Sequence, residues 1–437
     1  MNTKPDKTDI INVVTLGCSK NLVDSEFLMG QITGNNISVV HDSESFEAKT
    51  VIINTCGFIK DAKQESINTI LQFIRAKEQG LVKQVYVTGC LSQRYKKDLE
   101  QEISNVDNYF GVNDMKEIIK HLGLNYKDSL AGERFLTTPS HYAYLKISEG
   151  CNRKCGFCAI PSIRGAYVSR PEAELVMEAR NLSRKGVKEL IIIAQDISSY
   201  GLDIYGERTL GRLLQKLSDI EGIEWIRLHY AYPSDFPEEV IKIMKEKENI
   251  CKYLDIPLQH ISDKILRSMR RGHSKKAILE LIKELRQQVP GIILRTTLMT
   301  GYPGEGEKEY AELLTFIDEV RFERLGVFTY SGEEGTYAAE KLRDVVPERT
   351  KAARADAIME KQMLISKELN DKCIGNLFKV IIDGREGEYY TGRTQGDSPE
   401  VDNEVLIPLT SGRLKTGDFY NIRITASEEF DLYGVPE

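Results

Sequence analysis

The sequence predicts an α/β protein in three parts: an N-terminal parallel α/β domain, an open six-stranded (βα) barrel and a small C-terminal all-β barrel. Three observations predict it. Short apolar runs alternate with amphipathic ones from Ile11 to about Leu122. Strand–helix alternation resumes after a polar gap and repeats six times, and short, evenly spaced strands follow Cys373. A chain of 437 residues is long enough for two or three domains.

In the first part INVVTLG, TVIINT, QVYVTG and NYFG read as strands. NLVDSEFLMGQIT, KDAKQESINTILQFIRAKEQ and LSQRYKKDLEQEI read as helices, and such alternation implies a parallel sheet covered by helices. The polar, irregular stretch from Asn125 to His141 is the first linker candidate. YLKIS, ELIIIAQD, WIRLHY, YLDIPLQ, GIILRTTLMTG and RLGVFTY then supply six strands, with helical patterns such as PEAELVMEARNLSRKG and SKKAILELIKELRQQV between them. Six units are fewer than the eight of a closed triosephosphate-isomerase barrel, so the sheet is expected to stay open and leave a lateral gap for a large substrate. The charged helical stretch VPERTKAARADAIMEKQMLISKELNDK leads into LFKVIIDGREGEYYTGRT, VLIPL and FYNIRITASEEFDLYG. Short strands broken by Gly and Asp turns read as a small barrel.

Composition bounds the function. Hydrophobic residues at 41% and charged residues at 29% are ordinary for a soluble globular chain. No stretch approaches the roughly 20 apolar residues that cross a bilayer. MNTKPDKTDI lacks the apolar core of a signal peptide, so the expectation is a cytoplasmic protein with no membrane partner. A net charge of −7 argues against a general nucleic-acid coat but leaves room for a local basic groove. In a reducing compartment the eight cysteines point to metal binding or redox chemistry before disulfides.

The run GCNRKCGFC places Cys151, Cys155 and Cys158 in a C-x3-C-x2-C array just after the first barrel strand. Three thiolates this close can hold one soft metal centre. A four-iron cluster usually takes four thiolates, so a loop offering three leaves one iron without a protein ligand. That iron could chelate the amino and carboxylate groups of S-adenosylmethionine, whose reductive cleavage yields a radical able to attack an unactivated C–H bond. The competing reading is a zinc knuckle with its fourth ligand elsewhere, although structural zinc sites usually show paired spacings. Cys18, Cys56 and Cys90 share a different signature. Each follows an apolar strand (VVTLGC, VIINTC, VYVTGC) and precedes a helical pattern. Carboxyl ends of parallel strands lie along one edge, so three thiolates would converge there. The competing reading is three buried cysteines acting as small hydrophobes. Cys251 and Cys373 have no such company and read as buried thiols.

With Phe157 before the last cysteine, the triplet resembles the signature of radical S-adenosylmethionine enzymes. From about Asn12 to the C-terminus the chain resembles the methylthiotransferases of that superfamily. The resemblance implies an auxiliary-cluster domain over residues 10–124, a radical S-adenosylmethionine barrel over 137–368 and a TRAM barrel over 369–437. It implies two [4Fe-4S] clusters, an auxiliary one on Cys18, Cys56 and Cys90 and a radical-generating one on Cys151, Cys155 and Cys158. Phe157 is placed with the latter cofactor site, and no catalytic residue beyond the cluster ligands is assigned. One S-adenosylmethionine would methylate a sulfur held at the auxiliary cluster and another would give the 5′-deoxyadenosyl radical.

Two branches of the family differ in substrate. GCSKNLVDSE, ISEGCNRKCGFCAIPSIRG, PLQHISDKILRSMRRG and RTQGDSPEVDN resemble the branch that modifies the β-carbon of an aspartate in ribosomal protein S-12. The tail from Asp371 carries seven Lys or Arg against thirteen Asp or Glu, a net of −6. A tRNA grip would be basic, whereas an acidic surface suits a basic ribosomal protein, free or within the ribosome. The resemblance also implies an electron donor that the sequence does not identify. The alternative within the family is a tRNA adenosine methylthiotransferase. Outside it stand an iron–sulfur electron carrier, which would not cleave S-adenosylmethionine, and a colourless zinc RNA-binding protein.

TGYPGEGE is Gly-rich but lacks the Lys-Ser/Thr of a phosphate loop, so it reads as a tight turn or as part of the S-adenosylmethionine pocket. Gln195 and Asp196 end the second barrel strand and read equally as functional groups or as a capping loop. His41, His121, His141, His229, His260 and His273 show no ligand spacing, and His260, which lies within the branch-typical segment PLQHISDKILRSMRRG, is a candidate substrate contact. No Ser-His-Asp arrangement is legible.

Overall fold

The first sheet is built from β1 (Ile10–Thr15), β2 (Ser38–His41), β3 (Thr50–Thr55), β4 (Gln84–Gly89) and β5 (Asn108–Tyr109), in the order β2-β1-β3-β4-β5. All its pairings are parallel in the computed structural model, which describes residues 10–130 and 132–437. The opening residues MNTKPDKTD, read above for a signal peptide, lie outside the described residues. Four helices accompany the sheet: α1 (Ser19–Thr33), α2 (Lys60–Glu78), α3 (Cys90–Glu102) and α4 (Met115–His121). β3 is buried along its whole length, which its TVIINT run suits: β-branched side chains pack well on a sheet covered on both faces. On one face Ile11, Val13 and Ile52 meet Leu28, Met29 and Ile32 of α1 and Ile118 and Ile119 of α4. On the other, Val51, Ile53, Val85 and Val87 meet Ile70, Phe73 and Ile74 of α2 and Leu91 and Leu99 of α3. The edge strand β2, from SVVH, is absent from the sequence reading. It is four residues long and only partly buried, so its apolar signal is weak.

Two compact units divide the chain. The first gathers residues up to Thr138 with Tyr144–Arg153 and Cys158–Asn181, and the second holds Pro139–Ala143, Lys154–Phe157 and Leu182–Glu437. The stretch from Asn125 to His141 is no loose tether. Arg134 donates to the Tyr144 carbonyl at 2.7 Å and pairs with Glu26 and Glu178, all within the first unit. His141 is buried and stands 2.7 Å from Asp383 in the second.

The six barrel strands are β6 (Tyr142–Lys146), then, beyond a short clasp of β7 (Ser148–Glu149) and β8 (Val168–Ser169), β9 (Glu189–Ile193), β10 (Trp225–Leu228), β11 (Ile250–Asp255), β12 (Ile293–Thr300) and β13 (Arg324–Thr329). Their order is β13-β12-β11-β10-β9-β6, an open sheet as expected. The helix Glu348–Asp371 leads to β14 (Leu377–Glu386), β15 (Tyr389–Thr394), β16 (Glu404–Pro408), β17 (Phe419–Ser427) and β18 (Asp431–Pro436), which close into a barrel. Its core is Val380, Ile382, Tyr390, Val405, Ile407, Ile422, Ile424 and Leu432.

Within the second unit, the open sheet carries a row of polar side chains that meets the connection between β15 and β16. Arg227 donates to Glu189 and to the Gln395 carbonyl, both at 2.7 Å. Arg393 bridges Glu189 at 2.9 Å and Asp383 at 2.7 Å. Arg324 pairs with Asp397, His229 stands 2.9 Å from the Ser398 hydroxyl, and Tyr253 donates to Asp402 at 2.7 Å. Charges this deep persist only when paired and hydrogen-bonded. The segment RTQGDSPEVDN is therefore largely an interior contact: Arg393, Asp397, Ser398 and Asn403 are all buried.

Candidate active site

Cys18 lies just beyond β1, Cys56 directly follows β3, and Cys90 directly follows β4. These strands are neighbours, paired Thr15 to Asn54 and Thr55 to Gly89, so the three cysteines sit at one carboxyl edge of the sheet. Glycines let their loops touch. A Cβ on Gly17, whose φ is +94°, would sit 2.7 Å from Cys56 Cβ and 3.0 Å from its Sγ. A Cβ on Gly57 would sit 2.7 Å from the Cys90 carbonyl carbon. Only glycine permits both approaches.

Burial grades the three thiols. Cys18 is exposed, Cys56 intermediate and Cys90 buried. Burial pushes the Cys56 thiol up, and pushes Cys90 up to about 11 against the lowering pull of Arg164. The sulfurs lie close enough that Cys18 and Cys56 each raise Cys90 further. A metal bound by these two sulfurs would have to displace their protons. Among the described residues, no three His, Cys, Asp or Glu side chains stand at the spacing of a single metal ion. A cube of four irons takes each thiolate on a separate iron and so spaces its ligands more widely. The convergent all-sulfur donor set fits that group.

Four charged side chains in the first unit adjoin this edge, and sequence reasoning did not find them. Arg164 ends the helix α5 (Ile160–Arg164), whose Ile163 packs with Ala159 and Cys90. Its Nη1 donates to Glu149 at 2.8 Å and to Asp24 at 3.2 Å, and its Nη2 donates to Asn21 Oδ1. Lys146 donates to Glu149 at 2.7 Å and to Asp24. Burial alone would lower the Arg164 pKa, but Asp24, Cys90, Glu149 and Cys18 raise it well above its ordinary value.

The second triplet lies on a closed loop. β7 pairs antiparallel with β8, and the Cys151 amide donates to the Gly165 carbonyl at 3.1 Å. The unit division passes through this loop: Cys151 and Cys158 go with the first unit, Cys155 and Phe157 with the second. In the second, Gly156 N donates to the Met269 carbonyl at 2.8 Å and Gly156 O accepts from Ala338 N at 2.7 Å. Phe157 packs among Ile265, Met269, Met299, Tyr302, Tyr330 and Ala338 and so anchors the loop. Arg271, stacked 4.3 Å over the Tyr232 ring, donates from Nη1 to Cys155 Sγ at 3.4 Å. Nearby strand ends are strained: Tyr230 and Gln259 hold positive φ of 63° and 72°. Non-glycine residues in that region cluster at functional sites.

Other candidates resolve differently. Asp196 caps the turn Ile197–Ser199 through Ser198 N at 2.9 Å and Ser199 Oγ at 2.8 Å, a capping role. In TGYPGEGE, Glu305 accepts from Gly301 N at 3.0 Å and from Arg354 at 2.7 Å, which makes the segment a braced turn. His260 is fully buried, its Nδ1 accepting from Ser262 N at 3.0 Å, so it is no surface contact for a substrate. Cys251 is buried beside Trp225 and Tyr253, and Cys373 packs against the C-terminal core.

Comparison with known proteins first gives the class. The Radical SAM superfamily matches residues 145–317, the Uncharacterized protein family UPF0004 matches 10–111, and the TRAM domain matches 374–436. Together they define a radical S-adenosylmethionine enzyme with an N-terminal α/β domain and a TRAM barrel. Solved structures share the fold: the radical S-adenosylmethionine methyltransferase TsrM from Kitasatospora setae, with tryptophan substrate and a SAM analog bound, aligns at a TM-score of 0.56 and 13% identity over 86% of this chain and 79% of that one. Among full-length relatives, "Ribosomal protein uS12 methylthiotransferase RimO" of Christiangramia forsetii is 55% identical over 100% of this chain and 96% of its own length. Its namesake in Flavobacterium johnsoniae is 54% identical over 100% of both. The chain belongs to the family of these uS12 methylthiotransferases.

Proposed function

We propose that this protein is a radical S-adenosylmethionine methylthiotransferase that adds a methylthio group to the β-carbon of an aspartate in ribosomal protein uS12. The observation that carries it is the meeting of three cysteine loops at one edge of the N-terminal sheet, in a chain that also carries the C-x3-C-x2-C loop and matches uS12 methylthiotransferases end to end. Cys151, Cys155 and Cys158 would hold the radical-generating [4Fe-4S] cluster, and Cys18, Cys56 and Cys90 an auxiliary one. Bound there, a cube with one iron free of protein sulfur supplies the reductive cleavage of S-adenosylmethionine and, at the auxiliary site, a place for the transferable sulfur.

The chain's own residues do the rest. The Gly17 and Gly57 contacts keep the three loops in register. Phe157 and the Gly156 backbone bonds hold the radical loop against the strand ends, and Arg271 fixes the Cys155 sulfur. We place the reaction in the cytoplasm, with the ribosomal protein and an electron donor as partners.

The acidic tail supports the protein substrate less than its count suggests. Asp383, Asp397 and Asp402 are engaged by arginines of the same unit, leaving exposed Glu386, Glu388, Glu428 and Glu429 for a basic partner. The test is mass spectrometry of uS12 and tRNA from cells with and without this gene. The expected result is loss of a methylthio increment from uS12 alone. Loss from tRNA with uS12 unchanged would overturn the substrate.

A further inference from the structure

The guanidinium of Arg164 is 1% exposed, and its Nε–H is buried without a hydrogen-bond partner. A buried donor left unpaired is costly and calls for an acceptor. No carboxylate supplies one. Asp24 and Glu149 are taken by Nη1 and by Lys146, so the quartet is two cations against two carboxylates with the Arg164 Nε–H left over.

The candidate acceptor that shares a partner with Arg164 is the Cys90 sulfur. Cys90 Sγ and Arg164 Nη2 both address the same atom, Asn21 Oδ1, the thiol at 3.8 Å. Asn21 is itself fixed: its Nδ2 donates to the Leu16 carbonyl at 2.8 Å and to the Thr55 carbonyl at 3.1 Å, beside Cys18 and Cys56. While Cys90 is a thiol, it can donate to that oxygen. Once it is a thiolate ligand it has no proton to donate and becomes an acceptor. A sulfur anion left beside an amide oxygen would be repelled unless a donor stood within reach. Arg164 is that donor, and its helix packs on Cys90 through Ile163 and Ala159.

We infer that Arg164 is the positioning residue of the three-cysteine site, donating an N–H to the Cys90 sulfur when that sulfur is a thiolate ligand. It thereby holds the most buried ligand in place and makes the bound redox centre easier to reduce. Hydrogen bonds to ligand sulfurs withdraw charge from an iron–sulfur centre and raise its potential. Because the quartet is neutral, the effect belongs to this bond rather than to a bulk positive field.

The inference rests on the auxiliary-cluster reading of Cys18, Cys56 and Cys90, and the experiment separates the two. In the full chain, Cys151, Cys155 and Cys158 are all changed to Ala, so that only the N-terminal site can load. After anaerobic reconstitution with iron and sulfide, iron content is measured and the potential is titrated by EPR. Failure of this parent to take up iron overturns the cluster reading itself. In a loading parent, Arg164→Gln is expected to shift the potential to a more negative value at unchanged iron content, and Arg164→Lys to shift it less. An unchanged potential in Arg164→Gln overturns the inference, as does an equal shift in Lys146→Met, which alters the quartet's charge without touching Cys90. If Arg164→Gln yields no soluble protein, Arg164→Lys carries the test on the same criterion.

Discussion

Cys56 is the middle member of its triplet by burial and by position, and its loop touches those of both Cys18 and Cys90. Cys56→Ala is therefore expected to lower the iron content of the reconstituted enzyme from about eight to about four atoms per chain. Reductive cleavage of S-adenosylmethionine should persist and methylthio transfer should vanish. Iron analysis with product chromatography checks this, and retention of both reactions would sink the assignment. At this scale the sequence was uneven. The cysteines were legible because each repeats one local setting, strand then thiol then helix. Arg164, Asp24, Glu149 and Lys146 were not, because the partnership of Lys146 and Arg164 with Asp24 spans 122 and 140 residues and leaves no local trace. A lone charge in the sequence looks the same whether it ends in solvent or in a buried quartet.

Among the elements, the β15–β16 connection departs most from its sequence appearance. GDSPEVDN has the composition of a solvated turn, yet its carboxylates answer arginines on β12 and β13. Removing one partner of a buried charge set strands the other. Arg393→Met, which takes one of two partners from each of Glu189 and Asp383 and leaves them Arg227 and His141, is expected to cost on the order of 3 kcal/mol, read as a lower urea midpoint. Acid should act on the same layer. Burial raises the pKa of Glu189 and of Asp383, but Arg393 outweighs it in both, aided by Arg227 at Glu189, and holds them below their ordinary values. Carboxylates depressed in the folded state stabilise it above their ordinary pKa and lose that contribution as pH falls through the folded value. Asp255, raised by burial against the pull of Arg295, works in the opposite sense and blunts the effect. The urea midpoint should therefore fall as pH drops below the usual carboxylate range, and Glu189→Gln should flatten that slope. A slope unchanged by Glu189→Gln would refute the attribution.

For the whole molecule, the sequence revealed the class of every layer: the parallel sheet by its apolar strand runs, the open barrel by its six repeats, the small barrel by its turns. It did not reveal how far the formal charge overstates the exposed charge. The exposed carboxylates on the surface of the last barrel are the ones able to meet a basic protein. Reversing Glu386, Glu388, Glu428 and Glu429 to Lys together is expected to weaken uS12 modification several-fold, mainly through KM and most at low salt. Cleavage of S-adenosylmethionine without the protein substrate serves as the control and should be unaffected. Equal turnover on uS12 at low salt would show that this face is only solubilising.

The arginine–carboxylate layer also governs how such chains can be rebuilt. A tail grafted from a relative would have to bring its own Arg393, Asp397, Ser398 and Asp402 equivalents in register with Glu189, Arg324, His229 and Tyr253, or ionised groups would be sealed against nothing. Recombination between members of this family should therefore succeed at exposed turns within the last barrel and fail at the border where that barrel begins. The boundary that looks most separable along the chain is the one least open to exchange.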